Sequence, residues 1–150
     1  MFFKKKYTPK TDLQIADNAW QVSQGQHQGS PLIARVNTWA KEILGHPEFP
    51  YRVGIAVPFL SPQADGLPTK EENFGFNEIE DEIFDLFQKD NEAIVCVIIT
   101  TSGMREFLIY SSTKEVDEKV NQLKSKFSKY DFQSYVQEDK KWDGYKEWVK

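Results

Sequence analysis

The chain has 150 residues, 28% of them charged, with 19 Lys and Arg against 23 Asp and Glu, a net charge of -4 and a pI near 5.3. That length suits one domain with its own core, and the acidic balance disfavours a broad nucleic-acid surface, which needs clustered positive charge. The single Cys96, inside the apolar run AIVCVII, excludes an intramolecular disulfide and points to a buried thiol in a reducing, cytoplasmic setting.

Residues 1–17 are polar and mixed, with Lys4, Lys5 and Lys6 in a row, and read as a loose N-terminal arm. They lack the apolar stretch of a secretory signal, and no run approaches the roughly 18 apolar residues of a membrane span. Residues 18–150 read as a single α+β domain. AWQVSQ and PLIARVN, separated by the polar GQHQGS, predict a β-hairpin over 19–37. YRVGIAVPF, 51–59, sets Tyr51, Val53, Ile55, Val57 and Phe59 at period two against smaller residues, the pattern of a strand with one bulky face.

Thr69 with Glu72 has the spacing of a capping box, and Phe76, Ile79, Ile83, Leu86 and Phe87 follow at helical spacing, predicting a helix over about 70–89. Its outer side is expected to carry Glu78, Glu80, Asp81, Glu82 and Asp85. EAIVCVIITT, SG and MREFLIY read as strand, tight turn and returning strand. Ser112 and Glu115 repeat the capping signal before a second helix over 113–127 with Val116, Val120, Leu123 and Phe127 inward. DFQSYVQ is a last strand, and an aromatic tail, 138–150, closes the chain.

From residue 51 to 137 the order is strand, helix, strand, strand, helix, strand, which predicts a ferredoxin-like βαββαβ antiparallel sheet with two helices on one face. Strand 92–101 would then lie at an edge although both its faces are apolar, a liability for aggregation. The hairpin, the tail or a second subunit is expected to cover it, the last giving a homodimer through an exposed strand edge.

PLIARVN, HPEFPYRVGIAVPF, GLPTKEEN, AIVCVIITTSGMREFLIY and KKWDGY together resemble an uncharacterised bacterial family, domain of unknown function 695, from about Trp20 to Tyr145. The resemblance implies a compact α+β domain, sometimes found beside a module similar to a regulator of a ribonuclease. It implies no active site.

The strand order brings Arg105 near Thr100, Thr101, Glu71 and Glu72. A guanidinium beside a helix start could hold a carboxylate or phosphate; the preferred reading is an ion pair from Arg105 to Glu71 or Glu72, since two glutamates already occupy that helix start. Glu106 points to the opposite face. Arg52, near Tyr110 and the start of the second helix, is a second anion-site candidate. Arg35 and Asn37 share a face of the hairpin with Ile33, where they either bind a ligand or dock the hairpin on the sheet.

His27 and His46 have no partner at a ligand spacing, and the EIEDE cluster reads as a solvated helix face, so no metal is expected. No P-loop, G-x-G-x-x-G or G-x-S-x-G occurs, so no cofactor and no catalytic residue is predicted. GMREFLIY lacks the internal glycine of an RNA-recognition strand. The expected function is a non-catalytic binding or regulatory module for a protein partner or small anionic ligand. The alternatives are an unrecognised enzyme acting on an acidic small molecule and a ribonuclease-regulating interaction protein.

Overall fold

The computed structural model describes residues 6–149. The predicted hairpin is formed by β1 (Trp20–His27) and β2 (Ser30–Asn37), antiparallel and in unbroken register from Trp20 opposite Asn37 to His27 opposite Ser30. A 3-10 turn, Thr38–Ile43, leads to β3 (Tyr51–Pro58). Helix α1 (Lys70–Gln88) is followed by β4 (Ala93–Thr101), β5 (Met104–Ser111), α2 (Asp117–Lys126), β6 (Gln133–Glu138) and a short α3 (Asp143–Lys146). The strands make one six-stranded sheet in the order β1-β2-β4-β5-β3-β6, every neighbour antiparallel. The fold class is thus mixed α+β.

Strand β4 is not an edge: β2 pairs with it from Leu32 opposite Thr101 to Val36 opposite Val97. The hairpin therefore closes the side that would otherwise expose an apolar strand. The β4–β5 turn has Ser102 at φ 52° and Gly103 at φ 82°, the doubly left-handed geometry that follows the twist of a two-residue hairpin.

Both sheet faces are covered. On one, Phe76, Ile79, Ile83 and Phe87 of α1 and Val120 and Leu123 of α2 bury against Val53, Ile55, Val57, Val95, Ile98, Phe107 and Ile109. On the other, Ala40, Ile43, Phe49, Trp142 and Tyr145 cover Ala34, Val36, Ile94, Cys96, Val97, Leu108 and Tyr110. The tail is locked there: the Trp142 ring stacks on Tyr110 at 4.3 Å, its Nε1 donates to the Phe49 carbonyl at 2.9 Å, and the Tyr145 hydroxyl donates to the Asn37 carbonyl at 2.6 Å. Trp142 and Tyr145 of the aromatic tail are thus part of the core.

Three local expectations change. Simple alternation fails in β4, where the register shifts between Val95 and Val97, so Val97 joins Cys96 on the tail face and Ile98 turns to the helices; the extra residue of a bulge resets the alternation. Helix α2 starts at Asp117 rather than 113, because the Ser112 hydroxyl donates to the Glu92 carbonyl instead of capping a helix. The cap of α1 is half a box: Thr69 Oγ1 accepts from Glu72 N at 3.1 Å, but the Glu72 carboxylate turns outward to accept from Leu60 N, Ser61 N and the Tyr130 hydroxyl.

Part of the expected loose arm, residues 1–5 with Lys4 and Lys5, lies outside the described residues. From Tyr7 onward the segment is tied to the body. The Tyr7 hydroxyl donates to the Leu44 carbonyl, and Asn91 Nδ2 donates to the carbonyls of Lys10 and Leu13. Among the described residues no helix is long and apolar enough to cross a membrane.

Candidate functional site

The hairpin carries the sheet past α1, leaving a cleft of about 630 Å³. Val22, Ile33, Arg35, Thr100 and Arg105 form its sheet side, Asn73, Asn77 and Glu80 its helix side, and Gln63, Leu67 and Pro68 close one end. These groups converge for a simple reason. Arg35 and Ile33 alternate with inward Ala34 and Val36 on β2, so they share the helix-facing side with Thr100 and Arg105 across the ladder. Asn73, Asn77 and Glu80 recur on the flank of α1 beside its buried stripe.

Arg105 is 6% exposed and is held on every side. Its Nε donates to Thr100 Oγ1 at 2.8 Å, one terminal nitrogen to Glu80 Oε1 at 3.2 Å and the other to Asn73 Oδ1 at 2.8 Å. Its guanidinium lies over Phe59 and Phe76, 5.6 and 5.1 Å from the ring centroids. Burial pulls its pKa down, opposed by the Glu80 carboxylate and reinforced by the positive charge of Arg35. Arg35 grips the same carboxylate with both terminal nitrogens. Glu80 therefore sits between two arginines, and the side chain of Arg35, 34% exposed, is the accessible end of the triad.

The expected ion pair of Arg105 with Glu71 or Glu72 is replaced by one with Glu80. Glu72 is engaged by the 60–61 backbone, and Glu80 stands where the helix flank crosses above the arginines. Glu80 also leaves the solvated acidic face to which its place in EIEDE had assigned it: its side chain is 12% exposed. Glu80, Asn73 and Asn77 were not among the predicted site residues, although their polar stripe at i, i+4 and i+7 beside Phe76 and Ile79 is a readable signal of a helix flank against polar floor groups.

The other predicted residues disperse. Thr100 is in the cleft; Thr101 faces away and donates to the Pro31 carbonyl at 2.8 Å. Asn37 is buried at the far end of β2, its Nδ2 donating to the Val95 carbonyl, with Oδ1 lacking a partner among the described residues. Arg52 turns to the tail face, donating to Gln137 Oε1 at 2.6 Å and standing 3.6 Å from Asp139 Oδ2, so it does not meet the start of α2. Beside it, burial raises the pKa of Glu106, opposed by a hydrogen bond with Tyr135 and by Arg52.

His46 is structural: Nε2 lies 2.7 Å from the Thr8 carbonyl, and Nδ1 accepts from Glu48 N. Cys96 is fully buried, and burial drives its thiol pKa far up. Among the described residues no group of three His, Cys, Asp or Glu could hold a metal ion.

Among curated proteins none matches the chain. The model of one family, DUF695, described as a family of unknown function, matches residues 18–149. That match spans the hairpin, the sheet, both main helices and the tail that seals the second face, so the chain belongs to the DUF695 family.

Proposed function

We propose that this domain is a non-catalytic binding module whose cleft takes a small anionic ligand, a carboxylate or phosphate on a compact polar body. The carrying observation is the charge imbalance around the cleft: among the described residues Arg35, Arg105 and Lys70 line it against one carboxylate, that of Glu80. Arg35, whose terminal nitrogens hold Glu80 while its side chain stays one-third exposed, brings positive charge to the mouth for a carboxylate or phosphate, Asn73 and Asn77 offer amides for the body of the ligand, and Val22, Ile33, Leu67 and Pro68 supply apolar walls. The engagement of Glu80 by two guanidinium groups leaves it poorly placed as a general acid or base, which favours binding over catalysis.

We read residues 51–138 as a ferredoxin-like unit extended by the hairpin, a reading supported by the strand run β4-β5-β3-β6 and by the shared core of α1 and α2. A cytoplasmic setting is supported by the lone, buried Cys96.

The test is a thermal-shift series with phosphate, dicarboxylates, nucleotides and sugar phosphates on the wild type and Arg35→Ala. A ligand at 100 times its dissociation constant stabilises by about 2.7 kcal/mol. The expected result is a stabilising anion whose effect is lost in Arg35→Ala while that variant stays folded. If no anion shifts the wild type, the triad is a structural tie and the ligand reading fails.

A further inference from the structure

Among the described residues, the edge opposite β6 has none of the devices that keep sheet edges apart. Strand β1 runs eight residues in register without a bulge, contains no proline and no Lys, Arg, Asp or Glu, and is exposed from Gln21 to His27. The other edge, β6, ends in Glu138 and is flanked by Asp131 and Lys140. Edge strands left long, flat and uncharged pair with another strand, and charge or proline normally prevents it.

The backbone polarity of β1 follows from its turn. The two-residue loop Gln28–Gly29 makes His27 and Ser30 the closing hydrogen-bonded pair, and bonded pairs alternate from there. Trp20, Val22, Gln24 and Gln26 therefore turn their N–H and C=O outward, away from β2.

We propose that β1 pairs antiparallel with β1 of a second copy of this chain, about a two-fold axis perpendicular to the sheet. Three features select a second copy over a foreign strand. The outward groups repeat at two-residue spacing, so a dyad beside Ser23 matches every donor with an acceptor, one beside Gln24 matches all but those of Trp20, and both keep the helix-bearing faces on one side. The strand is neutral although each chain carries -4, so two copies meet at a surface that adds no repulsion. The pairing also continues the existing sheet, and its β1–β2 ladder is already in place before the partner arrives.

The pairing would extend the floor of the cleft beyond its present edge. Its outer lip is Val22, 63% exposed, the sole β1 residue lining it. In the dimer, the two clefts would open toward each other over a floor of β2 and β1 from each copy. The two β2 strands would then stand three strand spacings apart, about 14 Å, with the two Arg35 offset further along them. The inference stands whether or not an anion binds, since its readout is mass.

Sedimentation equilibrium of the full chain at high concentration tests it, because an edge pair buries less than the ~1,200 Å² of a standard interface and associates weakly. The expected result is a dimer for the wild type. Gln24→Pro, which removes one outward N–H and no β1–β2 bond, and Gln24→Lys, which sets like charges beside the dyad, should both be monomers that melt like the wild type at dilutions where it too is monomeric. Gln24→Lys decides if the proline variant fails to fold. A wild type that stays monomeric leaves the edge to another protein's strand or to none and overturns the inference. A dimer that survives both substitutions also overturns it.

Discussion

Replacing Glu80 by glutamine should weaken the fold and strengthen the cleft as an anion site at the same time. The Arg105 and Glu80 side chains are 7% and 12% exposed, so losing the carboxylate leaves a buried guanidinium without its counter-charge. Removing one partner of a buried pair costs ~3–5 kcal/mol. Arg105 keeps its bonds to Thr100 and Asn73 and its contact with two ring faces, which places the expected loss at the lower end, about 3 kcal/mol. Arg35, more exposed, should cost under ~1 kcal/mol when replaced by alanine.

Urea unfolding measures both, as a shift of midpoint at constant slope. Repeated in phosphate, the Glu80→Gln variant should regain part of its loss, because anion binding to the native state adds stability by mass action. The reasoning is refuted if Glu80→Gln is as stable as the wild type, or if phosphate protects it no better than it protects the wild type.

Two further outcomes test the rest of the fold. Burial pushes the Asp139 carboxyl up, but the Gly144 and Asp143 amides, the Tyr110 hydroxyl and Arg52 outweigh it and hold the group below its ordinary value. A depressed carboxyl contributes stability that is full above the unfolded pKa of about 4 and is lost as pH falls through the lower folded value. Asp139→Asn should therefore cost about 2 kcal/mol near neutral pH and flatten the acid limb of a stability–pH curve below pH ~4. At Gly54 a Cβ would stand 2.1 Å from the Tyr135 ring, so Gly54→Ala should cost about 1–3 kcal/mol, and most of that loss should vanish in a Tyr135→Ala background in a double-mutant cycle.

The elements were legible where local rules act alone. Period two in 51–59, the Ser102–Gly103 turn and the Thr69 cap each specify a short stretch through backbone sterics or one hydrogen bond, and each stands where it was expected. What escaped depends on partners distant in sequence. Glu80 looks solvated on a helical wheel because nothing local says that a hairpin fifty residues upstream will slide beneath that flank. Arg105 was visible as an oddity in an apolar strand, but its partner was assigned to the nearest acids of the helix start, and the lateral position of a helix over a sheet is set by packing rather than by sequence spacing. Ser112 showed the reverse fault, a correct capping pattern outbid by the Glu92 carbonyl.

The tail has a consequence for how the chain is made. Trp142 bonds to Phe49 across 93 positions and Tyr145 to Asn37 across 108. These contacts form after nearly all of the described chain has been synthesised, so one sheet face, with Ile94, Cys96 and Val97, stays open on the ribosome while the helical face can already close. A chain stalled before residue 139 would present that face to chaperones and to other nascent chains, and completion of the tail is the step that ends its exposure.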